Sequence, residues 1–233
     1  MSRLIRWLTL GCMVALTGCA GSPRISSQPE TSQASTAPST QLPDFLNFDG
    51  SQLQLQVRGR SCTLVWRGEF PADAVPLMRE ALSEVEKRPC LSRTLAMDLQ
   101  GGDVGPATTV GAMLKNRQFN TELLAGSYCH TPCVMVFAAG RQRLMPGSGA
   151  PASLLLTQLR PDQDFGRATC ASELSLGQQL ILTRYLRAML PLATATALYQ
   201  KISQASCRSH DTLGAPEALA LGLATGTGSP PLR

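Results

Sequence analysis

The chain has 233 residues, is 43% hydrophobic but only 5% aromatic, and carries a formal net charge of +5. That charge is mild, and no basic stripe interleaved with aromatic residues occurs, which argues against nucleic-acid binding. The interior is expected to be aliphatic, rich in Leu and Ala.

The first element is an address. Arg3 and Arg6 precede an apolar run from Leu8 to Leu16, too short to span a bilayer. The run ends in Leu16-Thr17-Gly18-Cys19. Small residues and a cysteine after an apolar stretch resemble the bacterial lipoprotein signal. The resemblance implies removal of residues 1–18, diacylation (palmitate-type) of Cys19 and a stable multi-chain anchor. Ala20 after the cysteine implies sorting to the outer membrane, with the protein facing the periplasm. Without Arg3 and Arg6 the chain keeps 19 basic and 16 acidic residues, a net of +3.

Residues 19–43 are dominated by Ser, Thr, Pro, Gln and Ala. Such a segment buries too little apolar surface to offset the entropy of ordering, so it is expected to be a disordered tether. The residues that follow, 44–229, are expected to form one domain.

In that domain Leu53–Val57 alternates as Leu-Gln-Leu-Gln-Val, predicting a half-buried strand. Cys62–Arg67 predicts a second, joined to the first by a turn at Arg58-Gly59-Arg60. Ala74, Leu77, Met78, Ala81, Leu82 and Val85 recur at helical spacing within a helix over 71–87, stopped by Pro89. Thr94–Asp98 predicts a strand broken by Gly101-Gly102, and Val104–Asn116 a helix. Asn120–Leu124 predicts a strand. Cys133–Ala139 is apolar throughout and fits either a helix or a buried strand. Arg141–Met145 and Ser153–Leu159 predict strands. Ser172–Met189, Ala193–Ser203 and Gly214–Leu221 predict helices, the last closed by Gly222. The apolar stretch Leu176–Leu198 is broken by Arg184, Arg187 and Pro191, so it predicts no membrane span. Strands alternating with helices indicate an α/β fold.

Eight cysteines are present. With Cys12 removed and Cys19 lipidated, Cys62, Cys90, Cys129, Cys133, Cys170 and Cys207 remain. An even number in an exported chain argues for disulfides. Pairing each with its nearest neighbour gives Cys62–Cys90, Cys129–Cys133 and Cys170–Cys207. The first and third would each close a loop of about 30 residues, worth ~3 kcal/mol in the chain-entropy account. Cys129 and Cys133, with His130 between them, are also metal-ligand types. Zinc needs four ligands, however, and no second cluster is visible. No metal or cofactor is expected.

Four segments, in order, carry a family resemblance: Cys62–Phe70 (CTLVWRGEF), Leu95–Val104 (LAMDLQGGDV), Cys129–Gly140 (CHTPCVMVFAAG) and Ala215–Ala224 (APEALALGLA). They resemble an opening strand with its Gly turn, a strand ending in Ser-Pro-Gly-Gly, a Cys-x-Ser-x-Cys before an apolar helix, and a closing helix. The set is similar to the Clp protease/crotonase superfamily, and within it to exported Clp-like proteins of bacteria. The resemblance implies a repeated ββα spiral fold. It implies an oxyanion hole at Gly101-Gly102 and beside the nucleophile, a serine nucleophile and a histidine base.

The nucleophile position falls on Thr131 and the base position on Thr157. Leu99-Gln100 stands where the family has Ser-Pro. Of the two histidines, His130 adjoins Thr131 in sequence, a poor position for taking its proton, and His210 lies before the last helix. Asp211 falls where Clp proteases carry their acid. Relatives with a serine–lysine pair bring Lys115 into question, but its place predicts a solvent-facing side chain. The expectation is a degenerate, non-catalytic Clp-like domain binding a peptide or an envelope partner. The alternatives are a hydrolase with Thr131 as nucleophile, or a structural envelope component. Oligomeric state is not read from the sequence.

Overall fold

Alternating Leu and Gln side chains build the opening hairpin. In β2 (Leu53–Arg58), Leu53 and Leu55 are buried while Gln54 and Gln56 are half-exposed. It pairs antiparallel with β1 (Phe45–Phe48) and with β3 (Ser61–Glu69). The turn to β3 is made by Gly59-Arg60, with Gly59 at φ +57°, where glycine is at home. The protein is seen here as a computed structural model, which describes residues 44–48, 52–147, 149–157, 174–205 and 210–228. The signal and tether, Cys19, Cys170 and Cys207 lie outside the described residues.

From β3 the chain enters α1 (Ala74–Glu86), whose predicted stripe from Ala74 to Val85 is buried. β4 (Ser92–Gln100) follows, then α2 (Val104–Asn116), β5 (Asn120–Leu123) and β6 (Tyr128–His130). α3 (Thr131–Ala138), β7 (Arg143–Pro146), β8 (Ser153–Leu156), α4 (Leu176–Met189) and α5 (Leu192–Gln204) come next. β9 (Asp211–Leu213), α6 (Ala215–Ala220) and β10 (Gly226–Gly228) complete the described chain.

Seven strands form one sheet in the order β1-β2-β3-β4-β5-β7-β10, and β6-β8-β9 form a second. From β3 to β10 the large sheet is parallel. Its central strands are therefore buried on both faces, as Leu95, Ala96 and Met97 of β4 illustrate. Twice the chain places one strand in the large sheet, the next in the small sheet, and then a helix: β5-β6-α3 and β7-β8-α4. This is the expected ββα spiral, an α/β fold in one compact unit. No helix among the described residues is long and apolar enough to cross a membrane.

Several expected boundaries change for local reasons. Arg141 is not part of its strand, because its N–H turns back to the Phe119 carbonyl at 2.8 Å. α4 begins at Leu176 because Ser175 and Gln178 form a reciprocal capping box. The expected helix over 71–87 starts at Ala74, after Asp73 at its N-cap. The ambiguous apolar run is a helix, buried on every side. Of the expected strand Ser153–Leu159, Ser153–Leu156 pairs with β6 and β9, and residues 158–159 lie outside the described set.

Two buried polar side chains tie elements together: one joins two helices, the other joins a strand to the turns after two helices. Tyr185 of α4 donates its hydroxyl to the Met135 carbonyl of α3 at 2.8 Å. Arg143 of β7 donates to three carbonyls: Leu223 at 2.6 Å, Gly140 at 3.0 Å and Gly222 at 3.2 Å. It thereby fills carbonyls just beyond the ends of α3 and α6 that no helical N–H reaches. Two of the three expected disulfides, Cys62–Cys90 and Cys129–Cys133, are present. The third falls outside the described residues. Cys62–Cys90 joins β3 to the segment entering β4, across a sequence separation of 28.

Candidate functional site

The site begins where β6 runs directly into α3. β6 lies parallel to β8, with His130 opposite Leu155. One residue further, Thr131 starts α3 and meets Thr157, which follows the end of β8. The expected nucleophile and base positions are thus neighbours in space.

Their contact is intimate. The Thr131 hydroxyl donates to the Thr157 carbonyl at 2.7 Å and accepts the Thr157 N–H at 2.8 Å. The Thr157 hydroxyl lies 3.2 Å from it. A hydroxyl offers one proton and two lone pairs. The carbonyl takes the proton, the amide takes one lone pair, and the second hydroxyl completes the set. Thr131 is 0% exposed. Burial of a fully bonded hydroxyl is a stable arrangement; freeing its oxygen for attack breaks these bonds.

The Cys129–Cys133 disulfide brackets this junction, fastening the end of β6 to the first turn of α3. Pro132, at the start of α3, was not singled out from the sequence, although it is plainly legible there. Proline suits the first turn because its missing N–H has no helical partner to lose. The same absence has a chemical consequence. In acyl-transfer sites built on a nucleophile at a helix start, the N–H of the next residue is an oxyanion donor. At position 132 that donor does not exist.

The Gly-Gly turn keeps its backbone form. Gly101 has φ +62° and Gly102 φ +90°, conformations open chiefly to glycine. A Cβ on Gly102 would lie 2.6 Å from the Phe70 Cβ, so the close approach of β3 also demands glycine. Neither Gly101 nor Gly102 N–H forms a backbone hydrogen bond within the described residues. The turn leads into α2, which packs directly on α3.

None of the other candidates hydrogen-bonds to Thr131. Lys115 is exposed and donates to the Met189 carbonyl at 3.3 Å. Asp211 pairs with Lys201 at 2.6 Å on the surface. His210 immediately precedes β9, whose Asp211 pairs with Leu156, so the register brings it to the Thr157 end of β8, but no histidine is among the hydrogen-bond partners of the Thr131 hydroxyl. No group of three or more metal-ligating side chains occurs among the described residues.

Burial holds the His130 imidazole below the usual histidine range, and the charge of His210 adds to this. A base whose folded pKa is depressed loses stability as pH falls through its unfolded value, near 6.5, towards the folded one. Acidification from about pH 7 to pH 5 is therefore expected to destabilise the domain. His130→Gln should flatten that part of the profile in denaturant titrations. An unchanged slope would assign the acid sensitivity elsewhere.

No protein-family model and no curated protein sequence matches the chain. Solved structures do match in shape. A mutant of ClpP1 from Listeria monocytogenes superimposes with a TM-score of 0.52 at 13% identity, covering 72% of this chain and 92% of that one. The ClpP protease catalytic domain from Plasmodium falciparum gives 0.51 at 12% identity, with 72% and 85% covered. A mutant of the 1510-N membrane-bound stomatin-specific protease, in complex with a substrate peptide, gives 0.51 at 13%, with 70% and 73% covered.

The fold is that of the Clp proteases. In this fold Gly101 and Gly102 form a positive-φ turn, and Thr131, expected at the nucleophile position, is buried against Thr157, expected at the base position.

Proposed function

We propose that the protein is a lipid-anchored lipoprotein of the bacterial envelope whose Clp-like domain binds a peptide or an envelope partner without catalysis. The observation that carries this reading is the Thr131 hydroxyl, saturated by Thr157 on a chain that places proline at position 132. The Thr131 hydroxyl is engaged, no histidine hydrogen-bonds to it, and only one side of an oxyanion hole has N–H groups to offer. Loss of catalytic-unit members costs roughly 10⁴–10⁶ in rate in serine proteases. The unengaged Gly101 and Gly102 N–H groups remain available to a ligand carbonyl or carboxylate.

Anchoring through Cys19, on an outer-membrane tether facing the periplasm, is supported by the Leu16-Thr17-Gly18-Cys19 pattern and Ala20. The Cys62–Cys90 and Cys129–Cys133 disulfides suit the oxidising side of the inner membrane.

The test uses the full chain expressed in a bacterial host. Palmitate label is expected on the wild type and absent from Cys19→Ser. A fluorophosphonate probe and a fluorogenic peptide library are expected to give neither labelling nor turnover. Labelling that disappears in Thr131→Ala would replace this reading with a threonine hydrolase. Crosslinking is expected to capture peptide near Gly102, and a clean result there would leave a structural envelope role instead.

A further inference from the structure

Three arginines separated in the sequence meet at the pole of the large sheet opposite Gly101-Gly102. β4, β5 and β7 run parallel and begin there, and α2 ends there. β4 has nine residues, so the two poles are separated by roughly 30 Å. Between the strand starts lies a cleft of about 260 Å³, walled by Ser92, Arg93, Arg117, Gln118, Arg141 and Gln142 among others, with no acidic residue in its lining. Arg117 is held by Glu86 at 2.6 Å. Among the described residues, Arg93 and Arg141 have no ion pair and no side-chain hydrogen bond, although Arg93 is half-buried. Unpaired guanidinium groups gathered around a recess repel one another unless an anion joins them.

A second observation points to the same place. Gln118 has φ +56° and is the one non-glycine residue with positive φ among the described residues. It ends α2 in a Schellman arrangement: its N–H bonds the Lys115 carbonyl at 3.0 Å, and the Phe119 N–H bonds the Leu114 carbonyl at 3.1 Å. Glycine adopts that conformation without strain, so a side chain here carries a conformational cost. Gln118 lines the cleft. On the neighbouring wall, the Cys62–Cys90 disulfide fixes Cys90 at the rim.

We propose that this cleft binds a phosphate-bearing anion, supplied either as a free phosphorylated small molecule or as the headgroup of an anionic phospholipid. Guanidinium forks match phosphate oxygens in geometry and charge. The side-chain amides of Gln118 and Gln142 and the Ser92 hydroxyl add neutral donors. The volume exceeds that of the anion itself, leaving room for the group that carries it.

The full chain, carrying Cys19→Ser so that no acyl anchor intervenes, is titrated calorimetrically with glycerol 3-phosphate. It is also floated with vesicles of phosphatidylglycerol or of phosphatidylcholine. Arg93→Gln with Arg141→Gln is expected to weaken binding at least ~10-fold, since each lost charge-assisted bond is substantial. Arg184→Gln with Arg187→Gln, the same charge change on exposed positions of α4, is expected to leave it intact. Gln118→Gly is expected to raise the melting temperature while weakening binding, which a purely structural role would not do. Binding of glycerol 3-phosphate identifies the free source; preference for phosphatidylglycerol vesicles without it identifies the lipid source. Binding of neither probe, or equal loss in the two arginine pairs, would overturn the proposal.

Discussion

Thr131→Val is expected to lower the stability of the domain by about 2–3 kcal/mol, a large change for one buried oxygen. Valine preserves the shape of threonine and removes only the hydroxyl. The Thr157 N–H and carbonyl, at 2.8 and 2.7 Å from that oxygen, both lose their partner. An unsatisfied buried polar group costs about 1–3 kcal/mol, and the half-exposed position of Thr157 lets water recover part of the total. Thr131→Ser keeps the hydroxyl and loses a methyl group, so it should cost only about 1 kcal/mol. The order wild type, Ser, Val in chemical denaturation is the signature of a structural hydroxyl. If valine were as stable as wild type, the bonds to Thr157 would not be what holds Thr131.

Gly111→Ala is expected to be at least as damaging, about 3 kcal/mol or more, in the range of overpacked cores. A Cβ at position 111 would overlap the Tyr185 hydroxyl outright and stand 3.0 Å from Cζ of the same ring and 3.3 Å from the Ala139 Cβ. Tyr185 cannot swing aside freely, because its hydroxyl is held by the Met135 carbonyl and the ring is buried. Burial also pushes the Tyr185 hydroxyl pKa up, keeping it neutral. Tyr185→Phe should restore part of the loss in the Gly111→Ala background while destabilising the wild type by about 1 kcal/mol. A double-mutant cycle reads that coupling directly. Additive effects would mean that the two residues do not compete for the same space.

Longer elements were legible because their periodicity outlasts one turn or one pleat. Val104–Asn116 was read with the boundaries it has, and the six apolar positions of α1 are those it buries. Several short strands were not. β6, β9 and β10 have three residues each, too few to repeat a pattern, and β1 (Phe-Leu-Asn-Phe) shows no clear alternation. β10 reads Gly-Thr-Gly and exists because β7 offers it a parallel partner. Its glycines permit close packing: a Cβ on Gly228 would lie 2.5 Å from a Glu122 carboxylate oxygen.

At the site, the positions of Thr131 and Thr157 came from the resemblance, whereas their bond depends on the register of β6 on β8, which no local pattern encodes. The missing N–H at Pro132 could have been seen in the letters alone. The arginine cleft could not, since Arg93, Arg117 and Arg141 become neighbours only when three parallel strands start at one pole.

Arg143 gives the domain an order of assembly. Two of its three carbonyl partners belong to Gly222 and Leu223, some 80 positions later in the chain. Until those residues emerge, a guanidinium placed in the interior has donors without acceptors, which disfavours closing the core around it. The last turn of the spiral thus serves as a completeness check. A nascent chain cut short before Gly222 lacks the contacts that let β7 settle, and non-local closures of this kind come late in folding.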